Sequence, residues 1–194
     1  MANTQSFDQY TEAYEQWFEK NPHIYADEVQ TLKQLVGNAK NGLDIGMGSG
    51  QFALPLGIDI GIEPSQQMRA KALSKGLHPV DGIAENLPFE DEEFDFALMI
   101  TVICFVDDPL KAIQEAFRVI CKNGLLIIGI IDKNSSVGRQ YEENKESNRF
   151  YKQATFFSIE EIKTLARQAG FSDCSSTGVK MMDDSFVFIQ CFKS

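Results

Sequence analysis

The sequence predicts an α/β fold: a single domain with a doubly wound, mostly parallel seven-stranded sheet and a C-terminal antiparallel hairpin. Short apolar runs alternate with amphipathic helical patterns, as in sheets whose parallel strands are joined by helices. The run "GLLIIGIID" is apolar throughout, which is typical of a strand covered on both faces. The last two strand patterns, over 172–179 and 186–192, have no helix between them, so we expect an antiparallel pair.

A stripe of aromatic residues predicts an N-terminal helix. Its members recur at the three- and four-residue spacing of one helical face. Pro22 interrupts this helix, and a second helix carries Val29, Leu32 and Val36 inward before it ends at Gly37. The stripe consists of Phe7, Tyr10, Tyr14, Trp17 and Phe18.

The later elements are bounded by capping residues. Asp107 or Asp108 can cap a helix whose first turn contains Pro109. Ser158 and Glu161 have the spacing of a capping box. In order, these elements are a strand over 58–62, a helix over 65–76, strands over 77–80 and 94–100, a helix over 107–124, a strand over 124–132 and a helix over 158–170.

Size and charge limit the possible partners. At 194 residues the chain is long enough for one buried core and short for two. A net charge of -10 argues against a face that neutralises nucleic-acid phosphates, and it favours a small or neutral substrate. The start, "MANTQSFDQY", lacks a signal-peptide pattern, and no apolar run is long enough to span a bilayer. We therefore expect a cytoplasmic protein with no nucleic-acid or membrane partner.

The cysteines and histidines suggest no metal site. Four cysteines, at positions 104, 121, 174 and 191, are far apart and form no C-x-x-C pair. We expect them to be reduced, buried thiols. His23 and His78 are expected at the surface.

Three glycines follow the first predicted strand in "LDIGMGSG". Gly46, Gly48 and Gly50 allow a tight turn and a close approach of the backbone to a ligand. The next strand ends at Glu63, whose carboxylate can accept hydrogen bonds from the vicinal hydroxyls of a ribose. The spacing is G-x-G-x-G, whereas a dinucleotide site has G-x-G-x-x-G. Asp44 would repel a pyrophosphate, but its carboxylate can pair with an ammonium group.

Four motifs occur in order along the chain: "LDIGMGSG", "GIEPS", "DGIAENLPFEDEEFDFALMI" and "VDDPLKAIQEAFRVICKNGLLIIGI". They resemble the first motif, the second motif, the adenine loop with the fourth strand, and the next helix with the fifth strand of class I S-adenosylmethionine (SAM)-dependent methyltransferases. The resemblance covers nearly the whole chain and is greatest to the small-molecule branch that includes quinone-ring methyltransferases. It implies a Rossmann-like fold, with SAM as cofactor and S-adenosylhomocysteine (SAH) as product.

The resemblance assigns a cofactor site residue by residue. Gly46, Gly48 and Gly50 would surround the methionine portion and the ribose. Asp44 would lie near the amino group, and Glu63 would hold both ribose hydroxyls.

The chain departs from the family pattern at two places. Ile83 stands where the family often has an acid, so Ile83 by apolar contact and Ala84 by its backbone N–H would hold the adenine. Cys104 and Phe105 stand where the family often has a histidine pair, so we assign no catalytic base. Thr101, just past the fourth strand, would face the cofactor sulfur or the substrate; the alternative is that it simply ends the strand.

Two irregular segments are candidates for acceptor binding. The family's N-terminal helix commonly crosses the cofactor, and Tyr14 is our best single candidate for that contact. In the long connection over 133–156, Arg139, Tyr141, Arg149 and Tyr151 fit either an anionic or aromatic substrate or a solvated helix. The chain is thus divided into a helical lid over 1–37, a cofactor-binding core over 38–132, a candidate substrate lid over 133–156, and a last helix with hairpin over 157–194.

The predicted activity is transfer of a methyl group from SAM to a small-molecule acceptor by in-line displacement. This reaction needs alignment and exclusion of water before it needs an acid or a base. Three alternatives stay open: a non-catalytic SAM- or SAH-binding protein, a nicotinamide-dependent oxidoreductase and an aminopropyl-transferring enzyme. The sequence assigns neither the acceptor nor the oligomeric state.

Overall fold

The computed structural model describes residues 4–194. Its strands are β1 (Gly42–Ile45), β2 (Ile60–Ile62), β3 (His78–Val80), β4 (Phe94–Ile100), β5 (Ile120–Ile131), β6 (Ser172–Gly178) and β7 (Phe186–Phe192). Its α-helices are α1 (Gln5–Gln9), α2 (Thr11–Lys20), α3 (Pro22–Val36), α4 (Ala53–Leu56), α5 (Gln66–Ser74), α6 (Pro109–Val119), α7 (Ser136–Glu143) and α8 (Ile159–Ala169). Short 3-10 turns cover Lys145–Ser147 and Lys180–Met182.

The strands form one seven-stranded sheet in the order β3-β2-β1-β4-β5-β7-β6. The pairs from β3 to β5 are parallel, whereas β7 is antiparallel to both β5 and β6. The predicted α/β fold with an antiparallel C-terminal pair is therefore confirmed. Strand order reverses between β1 and β4, so a crevice opens at the carboxyl ends of these two strands.

Apolar layers cover both faces of the sheet. In β4, Ala97 and Met99 belong to one buried layer, and Leu98 and Ile100 belong to the other. This alternation follows from the two-residue period of a strand. The neighbouring β5 is buried from Gly124 to its end, as predicted for a strand covered on both faces.

The predicted helix caps are confirmed. Asp108, rather than Asp107, accepts the N–H of Lys111 and begins α6. Ser158 and Glu161 form the capping box of α8.

Two predicted helix boundaries are wrong. The aromatic stripe lies on two helices, because Tyr10 leaves the helical region with φ -118° and ψ 26°. The Asp8 carboxylate accepts hydrogen bonds from the Ser65 hydroxyl and the Gln67 N–H, so α1 is tied to the start of α5. The helix predicted over 107–124 ends at Val119, where the Lys193 ammonium donates to the Phe117 and Ile120 carbonyls at 3.0 and 2.7 Å.

The expectation of four reduced cysteines is wrong for one pair. Cys174 and Cys191 form a disulfide between the neighbouring strands β6 and β7. Antiparallel pairing brings these residues, 17 apart in sequence, to a Cα–Cα distance of 4.2 Å. Cys104 and Cys121 are free thiols, but both are only partly buried, so the expected burial is wrong for them. The cytoplasmic location stays a prediction.

Both histidines are exposed, as expected. His78 lies 3.0 Å from the Asp59 carboxylate at the surface. Between residues 4 and 194, none of the helices has the length and apolar character needed to cross a membrane.

Candidate active site

A cavity of about 90 Å³ lies at the carboxyl ends of β1, β2 and β4, where strand order reverses. The glycine loop, the end of β2, the turn after β3 and the end of β4 each contribute to its wall. The predicted site residues that line it are Tyr14, Gly46, Gly48, Glu63, Ile83, Ala84 and Thr101.

The glycine loop needs its glycines for two different reasons. Gly46 and Gly48 have φ of +77° and +56°, which L side chains rarely adopt, and both line the cavity. A Cβ on Gly48 would lie 3.4 Å from the Tyr14 hydroxyl. Gly50 has φ +83°, and a Cβ there would lie 2.1 Å from the Leu77 side chain. Gly50 therefore permits close packing behind the loop and does not line the cavity.

Glu63 ties the glycine loop to the start of α5. Its two carboxylate oxygens accept hydrogen bonds from the N–H groups of Gly48 and Ser65, each at 2.7 Å. Only 7% of the residue is exposed, and burial raises the pKa of Glu63 to about 6, although both hydrogen bonds oppose the shift. The group is thus ionised at neutral pH. Each oxygen retains a lone pair that can accept a further hydrogen bond.

Asp44 lies in the middle of the sheet beside the cavity. Its backbone pairs with Gly61 on one side and Leu98 on the other. It is 3% exposed and is not among the cavity-lining residues. Burial and the nearby charge of Glu63 raise the pKa of Asp44 to about 7.

The turn after β3 forms an apolar wall. Ile83 pairs with Asn86 in an isolated bridge, and buried Ala84 lies between them. Glu85 also lines the cavity, and its carboxylate accepts the N–H groups of Asp107 and Asp108 at 2.8 and 3.3 Å. Glu85 was not predicted from the sequence, because its position becomes clear only when the 107–108 segment folds over this turn.

Thr101 lies at the junction of two cavities. It has φ +56°, which is unusual for a β-branched residue, and its hydroxyl donates to the Ile100 carbonyl at 2.7 Å. Thr101 also lines a second cavity, of about 560 Å³. Phe7, Tyr14 and Phe105 also line both cavities. The described structure thus joins a slot at the glycine loop to a larger chamber.

Aromatic rings surround much of this second chamber. Tyr141 and Tyr151 stack at 5.2 Å, and Phe105 stacks on Tyr151 at 5.9 Å. Both tyrosines and Arg149 come from the 133–156 connection, so part of this candidate lid lines the chamber. Arg139 does not line it, and its guanidinium donates to the Asn134 carbonyl instead.

Cys104 is a partly buried thiol near the same junction. Burial raises its pKa to about 12, so it stays protonated at neutral pH. Its thiol donates to the Thr101 carbonyl. This position therefore provides no nucleophile or base.

A polar latch joins α2 to the glycine loop. The Glu15 carboxylate accepts hydrogen bonds from Ser49, from Gln51 at 2.8 Å and from Lys75 at 3.0 Å. Burial alone would raise the pKa of Glu15, but these bonds hold it below its ordinary value. This latch was not predicted from the sequence, because nothing in the local sequence distinguishes Glu15 from other polar residues beside the aromatic stripe.

Comparison with known proteins defines the class of the chain. The family described as "Methyltransferase domain" matches residues 43–128. A crystal structure of a SAM-dependent methyltransferase from Thermotoga maritima, described as a possible histamine N-methyltransferase, has 42% identity, covers 99% of this chain and 100% of its own, and superposes with a TM-score of 0.92. The chain belongs to the SAM-dependent methyltransferases.

Two sequence relatives extend this comparison. An uncharacterised protein of Methanocaldococcus jannaschii is 43% identical over 171 residues, which are 88% of this chain and 83% of that protein. The demethylmenaquinone methyltransferase of Staphylococcus saprophyticus is 27% identical over 170 residues, covering 70% of this chain and 73% of that protein. The predicted family resemblance is confirmed, and SAM is the cofactor of this class. The reaction consumes a methyl acceptor.

Proposed function

We propose that the chain transfers the methyl group of SAM to a small molecule held in the second chamber. The observation that carries this proposal is that the glycine-loop slot and the aromatic chamber meet at Thr101 and Tyr14. Two reactants in adjoining spaces can be aligned, and alignment is the main requirement of an in-line displacement.

The residues of the slot fit the cofactor. Gly46 and Gly48 present backbone without side chains, and the buried carboxylate of Glu63 suits a pair of ribose hydroxyls. Ile83 and Ala84 form an apolar wall for the adenine ring. Asp44 does not line the slot, so we assign it to the amino group of SAM only because it brings a carboxylate near the glycine loop. We assign Gly50 to support of the loop. The slot is small, so we expect Tyr14 and its helix to shift when SAM binds.

When bound, SAM supplies a methyl carbon activated by a positively charged sulfur. The protein's own part is to orient the acceptor and to exclude water. Tyr14 and Phe105 cover the junction from the α2 side and the β4 side. Burial raises the pKa of Tyr14 well above its ordinary range, and the carboxylates of Asp44, Glu63, Glu15 and Glu28 add to this shift. The ring therefore acts as a neutral wall.

The test is formation of SAH from SAM with a panel of acceptors. The panel contains amines, phenols, thiols and carboxylates, with histamine included because a relative is described as its possible methyltransferase. Turnover of a small molecule by the purified protein would support the proposal. SAM binding without turnover of any acceptor would favour the non-catalytic alternative, and stabilisation by NAD alone would favour an oxidoreductase.

A further inference from the structure

Glu28 is a buried acid that faces the aromatic chamber. It lies on α3, is 4% exposed and lines the second cavity. Its Oε2 atom makes no hydrogen bond, and within residues 4–194 it is the one buried side-chain oxygen or nitrogen in this condition. Buried polar groups are almost always paired, and a buried charge without a partner is unfavourable. The unpaired oxygen is thus an observation that needs a physical explanation.

The cations of the chamber lie at its rim, where they have other contacts. Lys20 is exposed, and its ammonium is 3.5 Å from the Gln16 side-chain oxygen. Arg149 is exposed, and its guanidinium lies 5.2 Å over the centre of the Tyr10 ring. No ion pair involving Glu28 is found in the described part of the chain.

Aromatic rings line the chamber together with Glu28. Phe18 packs against Tyr14 and Phe52 at centroid distances of 5.1 and 5.9 Å, and all three rings line the chamber with Glu28. The faces of aromatic rings attract cations, and they do so more strongly when water is excluded. A carboxylate with an open acceptor oxygen among aromatic rings is therefore a suitable site for an ammonium group.

We propose that Glu28 binds a protonated amine of the methyl acceptor, so that the chamber selects small amines over neutral and anionic acceptors. This inference rests on the proposed function, because the chamber is taken to hold the acceptor. An ammonium group brings donors for the open Oε2 atom and a charge for the rings. An alcohol could satisfy the oxygen but not the charge, and a carboxylate would face repulsion.

The electrostatics of Glu28 agree with this role. Burial and the neighbouring charge of Asp27 raise the pKa of Glu28 to about 8. The charge of Glu28 acts on Tyr25 of the same helix and on Tyr14 and Tyr151 of other elements, and burial raises the pKa of each tyrosine. These phenols stay neutral near pH 8. With a pKa of about 8, Glu28 is largely protonated at pH 7, and an ammonium group that enters the chamber favours its ionised form.

The experiment measures binding by calorimetry with SAH saturating. The probes are two matched sets: tryptamine with tryptophol and indole-3-acetate, and butylamine with butanol and butyrate. The variants are Glu28→Gln, which keeps the side-chain shape, and Glu19→Gln, which removes an exposed carboxylate from α2. We expect wild type to bind at least one amine at least tenfold more tightly than its alcohol and its acid. Glu28→Gln should lose this preference, and Glu19→Gln should keep it.

Several outcomes would overturn the inference. They are equal or tighter binding of the alcohol or acid, unchanged amine affinity in Glu28→Gln, and absence of binding by both amines. The comparison of probes on wild type alone gives a result even if a variant fails to fold. Absence of SAH binding would instead count against the proposed function. Turnover of a neutral acceptor with no amine preference would refute the role of Glu28 and leave the methyltransferase proposal in place.

Discussion

The Glu63 carboxylate accepts the Gly48 N–H at 2.7 Å, so the acid at the end of β2 is bonded directly to the glycine loop after β1. The same carboxylate accepts the Ser65 N–H, also at 2.7 Å, at the start of α5. One buried side chain thus sets the relative position of the loop and the helix that border the slot.

Removal of this carboxylate should weaken cofactor binding. We expect Glu63→Ala to reduce the affinity for SAH by about 1.5–3 kcal/mol, the usual range for hydrogen bonds to a charged group. Calorimetric titration measures this difference. Glu12→Ala removes an exposed carboxylate that pairs with Lys71 outside the slot, and it should bind SAH like wild type. Equal affinities of the Glu63 variant and wild type would remove Glu63 from the site.

A side chain on the glycine loop should block the slot. Gly48→Val places methyl groups toward the Tyr14 hydroxyl and also strains a residue with φ +56°, so we expect loss of SAH binding by more than about 2 kcal/mol. Gly57→Val is the matched control, because Gly57 has φ +70° but open space around its Cβ position. Comparison of the thermal shifts that SAH causes in the two variants separates the lost space at Gly48 from the backbone strain that both variants share. If both variants still bound SAH, close approach at Gly48 would not be needed.

The latch between α2 and the glycine loop should affect cofactor retention. Glu15→Gln weakens the contacts with Ser49, Gln51 and Lys75, and we expect about 1 kcal/mol weaker SAH binding. Hydrogen exchange over α2 should become faster in the variant. Glu19→Gln on the same helix serves as the control. Unaltered exchange and affinity would show that α2 holds its place without Glu15.

Stability should depend on pH through Glu28. Its pKa is raised from 4.5 to about 8 on folding, so the native state retains a proton that the unfolded chain loses. Wild type therefore loses stability as pH rises from about 4.5 through 8. Glu28→Gln lacks this loss, and we expect it to exceed wild type in free energy of unfolding by about 2–4 kcal/mol at pH 9. Urea titrations at pH 5 and pH 9 test this, and a pH-independent difference would contradict it.

Amine binding should become tighter with rising pH. Only the ionised form of Glu28 can pair with an ammonium, and a pKa of about 8 makes that form about eightfold more abundant at pH 8.5 than at pH 7.0. Tryptamine stays protonated over this range, so its affinity should rise by a similar factor. Glu28→Gln should show a flat profile. A wild-type affinity that falls with pH would mean that another group controls binding.

Several parts of the fold and the site were predictable, because their signals are local. The continuous apolar run of β5, the caps at Asp108 and Ser158, and the glycines before a strand-end acid each depend on neighbouring residues. Such signals reflect backbone conformation and hydrophobic period, which short stretches of chain carry on their own.

The features that were not predicted from the sequence involve contacts between distant segments of the chain. The break at Tyr10 accompanies a contact between Asp8 and the start of α5, and the Cys174–Cys191 disulfide depends on the pairing of β6 with β7. Nothing in the local pattern around these residues distinguishes them from ordinary helix or strand positions.

The sequence by itself therefore determined the sheet, the glycine loop and the position of Glu63 at a strand end, because each depends on the spacing of residues that are near each other in the chain. Only the tertiary structure decided that Glu15 holds the loop and that Glu28 faces the aromatic chamber with an unpaired oxygen. The physical reason is that hydrogen bonding and desolvation of a side chain depend on what packs against it, and for these two helical residues the neighbours come from remote parts of the chain.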